Sequence, residues 1–482
     1  MAESAVRFLL NGEAVTEVDA PATLTLLDYV RGRGLTGTKE GCAEGDCGAC
    51  TVAVQRPGPD GTLSTLPLNA CIMPLAMVHG AAVTTVEGLG ATPHPVQAEM
   101  TAHHGSQCGF CTPGFVMSLW CRPSGAPVDR QAIEDRLAGN LCRCTGYGPI
   151  LAAAAASAPA ADALHDAEGD AEIAAALQAI GPLEMTAGPH TLMAPRDEAT
   201  FAQQRAAHPD AHIIAGATDV GLWITKDLHD PGSVIFVGGV EALQKITATD
   251  DALVVGAAVT HDALHARVAG MSPALGELLR RFGGLQVRSA GTVGGNIANG
   301  SPIGDLAPAL IAAGAELTVA SVRGERTMAL EDFFIAYGRQ DLAADEYVKS
   351  VKVSLAGLRT LSCHKISKRF DSDISAVMLA ASITLKDGVV EAVRVACGGM
   401  AATPKRAEKA EAALLGSAYD RDTIERAQVA ILEDYSPISD LRASAAYRQK
   451  VVQNLLMRDF IERTAPEMPT RLAGRAVRDV AA

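Results

Sequence analysis

Gly41-Cys42-Ala43-Glu44-Gly45-Asp46-Cys47-Gly48-Ala49-Cys50 sets three cysteines in one glycine-rich stretch at C-x4-C-x2-C spacing, and Cys71 follows downstream. This is the plant-type 2Fe–2S spacing. Four thiolates around two irons, three of them from one loop, require the backbone to wrap closely around bridging sulfides. Gly41, Gly45 and Gly48 suit that wrap, because glycine reaches positive φ and lets amide N–H groups approach the sulfides. A structural zinc site also takes four thiolates. Zinc pairs usually come as CxxC knuckles on short turns, however, and a three-cysteine glycine loop has a different shape.

A second set lies downstream. Cys108 and Cys111 form a CxxC, and Cys142 and Cys144 a CxC. Each pair directly precedes a predicted helix, so two helix N-termini converge on one centre, where amide donors and positive dipole ends favour anionic thiolates. On spacing alone zinc stays open here. Nine of the eleven cysteines fall within residues 42–144, whereas structural thiols would scatter. Cys121, Cys363 and Cys397 stand outside both sets and read as small buried or semi-exposed thiols.

The chain has 482 residues, enough for three or four domains. Its 48% hydrophobic and 20% charged content suits a soluble globular protein, and with 4% aromatics the cores must rest on Ala, Val, Leu and Ile. Net charge is 41 − 55 = −14, which argues against nucleic acid or an anionic membrane as partner. Residues 1–10 show no secretory pattern. The alanine-rich stretch 150–163 is too short and weakly apolar to span a bilayer. A cytoplasmic location is expected, where cysteines serve as ligands or buried thiols rather than disulfides.

Along the chain, residues 5–10 and 15–18 read as a hairpin around Asn11-Gly12, 24–31 as a helix and 51–55 as a strand. From about His94 the pattern turns helical, with Pro113 at a first helical position, Asp129 as a cap and Pro149 opening a helix. Residues 156–190 look like a linker with room for one helix. Strand-like runs at 213–214, 234–237 and 253–255 then alternate with helices such as 273–282. Two strands, 374–385 and 389–397, a turn at Gly398-Gly399 and terminal helices complete the reading.

Two further loops stand out. Ile213-Ile214-Ala215-Gly216-Ala217-Thr218-Asp219-Val220-Gly221 reads as strand, glycine turn and helix start. Such a turn offers amides to a pyrophosphate, although an ordinary βα turn fits it as well and the G-x-G-x-x-G fingerprint is absent. Residues 289–305 carry five glycines among Thr, Asn, Ser and Asp. Close backbone approach with short polar contacts favours phosphate and ribose binding.

The segments Gly37-Thr38-Lys39-Glu40-Gly41-Cys42, Gly45-Asp46-Cys47-Gly48-Ala49-Cys50-Thr51-Val52, Gln107-Cys108-Gly109-Phe110-Cys111-Thr112-Pro113-Gly114 and Gly139-Asn140-Leu141-Cys142-Arg143-Cys144-Thr145-Gly146-Tyr147 resemble the iron–sulfur domains of molybdenum hydroxylases. That family includes xanthine dehydrogenase, aldehyde oxidase and carbon monoxide dehydrogenase. The CxxC…CxC spacing is rare, and the match removes most of the case for zinc. The two glycine loops resemble the FAD domain of the same family, in the same order. The resemblance runs from residue 1 to about 470 and is weakest across 156–190.

What the resemblance implies is a multidomain α+β protein: a ferredoxin-like β-grasp domain (1–85), a four-helix bundle (86–160), a linker (161–190), a two-part α+β FAD-binding domain (191–360) and a C-terminal α+β flavoprotein domain (361–482). It implies two 2Fe–2S clusters, one on Cys42, Cys47, Cys50 and Cys71, the other on Cys108, Cys111, Cys142 and Cys144. The bundle cluster would lie nearest a molybdopterin, with Gln107 at the pterin. FAD would be held by Ile213, Ile214, Ala215, Gly216, Ala217, Thr218, Asp219 and Val220, and by Thr292, Val293, Gly294, Gly295 and Asn296. Asn299 and Asp305 would hold its polar groups, Phe282 would lie beside the isoalloxazine, and Val348 and Lys365 would make further contacts. The run Lys365-Ile366-Ser367-Lys368-Arg369 would meet NAD phosphates or form a solvated strand end.

Nothing in the sequence resembles the large molybdopterin-binding portion of the family. The resemblance therefore implies a small subunit of xanthine dehydrogenase type, paired with a large molybdopterin subunit in an (αβ)2 heterotetramer and passing electrons to NAD. No catalytic residue is implied on this chain. An aldehyde-type hydroxylase, oxygen as acceptor and a stand-alone NADH reductase stay open.

Overall fold

The computed structural model describes residues 2–58, 61–164, 166–468 and 470. Residues 471–482 of the expected C-terminal domain lie outside the described residues.

Alternation of Val6, Phe8 and Leu10 toward the interior makes Val6–Leu10 a half-buried strand. It pairs antiparallel with Glu13–Glu17 and parallel with Ala82–Thr84, which in turn joins Thr51–Pro57 and Leu63–Asn69. Helix Leu26–Gly32 lays Leu26, Leu27 and Val30 on this five-stranded sheet, and Thr25 caps it by accepting from the Asp28 amide at 3.1 Å. The cysteine loop runs between that helix and strand Thr51–Pro57.

Four helices follow, Pro95–Ala102, Thr112–Trp120, Arg130–Leu137 and Gly148–Asp162, packed around Val96, Met100, Phe115, Leu119, Ile133 and Ile150. Asp129 caps the third helix through the Gln131 and Ala132 amides. Cys111 holds the cap position of the second and Tyr147 that of the fourth, so both cysteine pairs do precede helices.

The stretch expected as a linker at 161–190 is more than a tether. It carries helix Ala167–Gln178 and a strand, Leu183–Ala187, paired antiparallel with His190–Ala194. Leu183 also bridges to Glu3 in parallel register. Leu183, Met185 and Ala187 alternate inward, a five-residue pattern too short to stand out among the polar residues around it.

The flavin part begins with a four-stranded sheet ordered Leu183–Ala187, His190–Ala194, Val234–Phe236, His212–Ile214, its last three strands parallel. A five-stranded antiparallel sheet comes next, ordered Ile246–Ala248, Ala252–Gly256, Tyr347–Ser354, Glu316–Ser321, Gly324–Ala329. Helices His261–Val268, Pro273–Arg280 and Leu306–Ala312 pack Leu264, Leu275, Leu279 and Leu310 against it. The C-terminal sheet runs Leu361–Ile366, Val377–Lys386, Val389–Gly398, Lys405–Arg406, under helices Glu408–Leu414, Arg421–Asp434 and Ala445–Thr464. Among the described residues no helix is long and apolar enough to cross a membrane.

Candidate cofactor sites

The first cysteine loop folds as its glycines require. Gly45 and Gly48 take φ of 78° and 69°, and a Cβ on Gly41 would sit 2.8 Å from the Cys47 Sγ. The amides of Glu44 and Cys47 donate to Cys42 Sγ, both at 3.4 Å. The four sulfurs meet as linked pairs: Cys42 touches Cys47 and Cys71, and Cys50 touches Cys71. In the bundle, Cys144 Sγ lies 3.3 Å from Cys108 Sγ, and Cys111 meets Cys142. Cys142 Sγ also lies 3.1 Å from Thr145 Oγ1, and its amide donates to Tyr147 Oη at 2.9 Å. Among the described residues no three His, Cys, Asp or Glu side chains are arranged around a single ion. The bundle thiols come together two by two, whereas those of the first loop form a continuous chain, Cys47–Cys42–Cys71–Cys50.

Electrostatics point the same way. The Cys47 and Cys71 thiols donate to Cys42 and hold its pKa far below the thiol range, while Cys47 itself is pushed up. Cys50 is lowered by the Cys71 thiol and Cys71 is raised by both neighbours. Burial, with Cys142 beside it, pushes Cys111 up to about 12, whereas amide and hydroxyl donors lower Cys142 against its own burial. Cys108 is lowered by the Phe110 amide and Cys144 is raised by Cys108. Sulfurs this close cannot all ionise unless a cationic core lies among them. Cys121 and Cys397, by contrast, are buried away from both sets, and burial raises each to about 12. Cys363 lies in the core of the flavin part.

The two loops touch each other and the flavin part. The Leu141 amide donates to the Cys47 carbonyl at 3.0 Å. From the other side, Thr225 Oγ1 donates to the Ala43 carbonyl at 2.7 Å and Lys226 Nζ to the Cys42 carbonyl. Helix Val220–Thr225 is seated so tightly that a Cβ on Gly221 would lie 2.3 Å from the Ile72 carbonyl oxygen.

The N-terminal end of that helix opens into a cavity of ≈ 530 Å³. All of residues 213–220 line it, with Phe282, Thr292, Gly295, Asn296, Asn299, Asp305 and Lys365. Val293, Gly294 and Val348 do not. Residues 293–299, expected as loop, form helix Val293–Asn299, with Thr292 Oγ1 accepting from the Gly295 amide at 3.1 Å. That turn buries Val293 and Gly294 against the strand side, and Val348 belongs to the core of the sheet. Two glycines expected to approach a phosphate have another reason to be there. A Cβ on Gly294 would meet that of Ala257 at 2.4 Å, and one on Gly216 the Ala290 carbonyl oxygen at 1.8 Å. Gly216→Ala should therefore lower stability by about 1–3 kcal/mol and part the two loops. A lowered urea midpoint together with weaker flavin retention checks this.

The cavity is chemically unfinished. Asn296 Oδ1, Asp305 Oδ1 and His261 Nδ1 are buried and have no hydrogen-bond partner among the described residues. Buried polar atoms are normally satisfied, and FAD, with ring nitrogens, carbonyls, hydroxyls and phosphates, would complete them. Lys365 Nζ sits 2.7 Å from Asp305 Oδ2, both side chains nearly fully buried. Burial raises Asp219, with Asn299 and Trp223 hydrogen bonds opposing.

His261 and Trp223 had no motif to announce them. His261 packs its ring 4.4 Å from that of Phe282, centroid to centroid. Burial, with Arg288 nearby, lowers its pKa to about 3 from 6.5. Below pH 6.5 the unfolded chain takes a proton that the folded cavity refuses until about pH 3. Stability from this group is therefore lost as pH falls through that window, by about 1.4 kcal/mol per unit. His261→Phe should flatten the acid side of the stability profile, read as urea midpoints against pH.

Comparison with known proteins completes the picture. Residues 8–75 match the 2Fe-2S iron-sulfur cluster binding domain, 85–155 a 2Fe-2S binding domain, 186–355 the FAD binding domain in molybdopterin dehydrogenase, and 362–463 the CO dehydrogenase flavoprotein C-terminal domain. Xanthine dehydrogenase of Emericella nidulans is 33% identical over 90% of this chain and 37% of its own length. The chain belongs to the molybdenum hydroxylase family. It spans little more than a third of the curated relatives it matches, as it also does of the xanthine dehydrogenase/oxidase of Gallus gallus, at 31% identity. Among solved structures, quinoline 2-oxidoreductase from Pseudomonas putida 86 superposes on 57% of this family member and 96% of its own chain, with TM-score 0.53 and 27% identity. Carbon monoxide dehydrogenase from Hydrogenophaga pseudoflava covers 55% of it and 94% of its own chain, with TM-score 0.52 and 25% identity.

Proposed function

We propose that this chain is the electron-transfer subunit of a molybdenum hydroxylase of xanthine dehydrogenase type. In this reading hypoxanthine and xanthine become uric acid on a large molybdopterin subunit, and NAD is the final acceptor. The assembly would be an (αβ)2 heterotetramer in the cytoplasm. Cys42, Cys47, Cys50 and Cys71 would hold one 2Fe–2S cluster, and Cys108, Cys111, Cys142 and Cys144 the other. Bound there, the clusters carry single electrons and the flavin pairs them for hydride transfer.

The observation that carries the proposal is the contiguity of the three sites. The Cys47 carbonyl takes a hydrogen bond from Leu141, next to Cys142, and the Cys42–Ala43 turn takes two from the helix that starts in the flavin cavity. The chain's own residues orient and space the centres. Amides donate to Cys42 Sγ, Thr145 and Tyr147 anchor the Cys142 turn, and Lys365 with Asp305 fixes polarity deep in the cavity. Cys108 and Cys144 are exposed beside exposed Phe110 and Leu141, the face a donor subunit would cover.

The test is purification of the native complex. Expected are a co-purifying large chain carrying molybdenum and xanthine-dependent NAD reduction. A chain that purifies alone and oxidises NADH at full rate toward dyes would instead make it a stand-alone reductase, and aldehyde turnover without xanthine turnover would reassign the substrate.

A further inference from the structure

We propose that Gln286 is the positioning residue that locks both iron–sulfur loops and the flavin cavity into one frame, and so sets the separation of the redox centres. The inference rests on the cofactor assignment above. Gln286 is 1% exposed and sits on helix Leu285–Ala290, four residues after cavity-lining Phe282. Its Nε2 lies 3.2 Å from Thr51 Oγ1, 3.0 Å from Ser118 Oγ and 2.9 Å from Asn140 Oδ1. Thr51 directly follows Cys50, Asn140 stands two residues before Cys142, and Ser118 lies on the helix that Cys111 caps.

The acceptors are themselves tied together. Asn140 Nδ2 donates to the Gly48 carbonyl at 3.2 Å, between Cys47 and Cys50. Thr51 Oγ1 donates to the same carbonyl at 2.6 Å, and Ser118 Oγ to Asn140 Oδ1 at 2.7 Å. With Asn140 held, Leu141 is placed to donate to Cys47. Backbones meet here without room for side chains. A Cβ on Gly48 would lie 2.3 Å from the Gly139 carbonyl oxygen, one on Gly114 2.2 Å from that of Gly48, and one on Gly139 2.0 Å from Gln286 Oε1. An apolar contact at such a junction would tolerate sliding. A buried amide whose two N–H donors have three oxygen acceptors within reach has directional demands and strong penalties for losing them, so it favours one arrangement. Gln286 contributes no cavity-lining atom and no metal-ligating one; it acts through Asn140 and Thr51.

Full-length holoprotein of wild type, Gln286→Leu and Gln286→Glu would be compared after reduction with dithionite. Two reduced clusters held at fixed separation broaden or split each other's EPR lines, and that interaction falls with the inverse cube of distance. Expected in both variants are wild-type iron, sulfide and FAD per chain, an altered or smeared cluster–cluster interaction, and slower electron arrival at the flavin after rapid reduction of the clusters. Glutamate keeps the length of glutamine and replaces the N–H donors with a carboxyl group, while leucine removes the donors without adding charge, so an effect common to both reports the lost donation. Unchanged line shapes and rates in fully loaded variants would overturn the proposal. So would loss of all cofactors from both variants, which would make Gln286 an assembly residue only. A wild-type protein without clusters would overturn the cofactor assignment instead.

Discussion

Cys47→Ser is expected to extinguish one iron–sulfur signal and spare the other, with iron per chain falling from about four to about two. The side chain is half-buried in the loop and paired with Cys42, so its loss removes one of the four proposed ligands and one of the two thiols that stabilise ionised Cys42. The bundle set shares no sulfur contact with it. The Cys47 and Gly48 carbonyls that link the loops are backbone groups, which serine keeps, so the Leu141 and Asn140 hydrogen bonds and the Cys142 turn should survive. Iron and labile-sulfide analysis, with EPR of the reduced protein, reads the result. Loss of both signals would mean that the two sites do not load independently.

The second large effect is expected at Lys365. Its ammonium and the Asp305 carboxylate form a 2.7 Å pair with both side chains 4% exposed. Lys365→Met strands a buried carboxylate whose other oxygen already has no partner. Breaking a buried pair from one side costs about 3–5 kcal/mol, while replacing both members with apolar residues is often neutral or stabilising. Lys365→Met should therefore lower the urea midpoint sharply, and Lys365→Met with Asp305→Leu should restore it. Neither protein should retain the yellow flavin through gel filtration, because both lose the polar floor of the cavity. A double variant that recovers FAD along with stability would show that the pair serves folding alone.

Both experiments probe residues that the sequence announced, and the contrast with those it did not is physical. The convergence of the cysteines was legible because spacing within a loop is a local constraint, and Gly45, Gly48, Gly109 and Gly146 beside them take positive φ, whereas Gly41 instead makes room for the Cys47 sulfur. The hairpin, the bundle helices and their caps followed from periodicity and capping over a few residues. Gly216 and Gly294 also answer a packing demand that the sequence did not announce. Their missing side chains make room for the Ala290 and Ala257 backbones, neighbours that only the tertiary fold supplies. Val348 was assigned to the cavity and lies in the core of its sheet, since a strand's inward face does not say which interior it faces. His261, Trp223 and Gln286 carry no local signature, because each matters through partners far away in the chain. The stretch at 161–190 hid a strand for a similar reason: its partners are Glu3 and residues 190–194.

Helix Val220–Thr225 begins at the flavin cavity and ends against the Cys42–Ala43 turn, and it is six residues long. At 1.5 Å per residue it is a strut of about 9 Å. With a cluster on the Cys42 loop and a flavin in the cavity, as proposed above, an electron would cross a gap fixed by about a turn and a half of helix, with no arm to swing and no hinge to wait for. Thickening the solvent with glycerol should leave that hop at its normal pace.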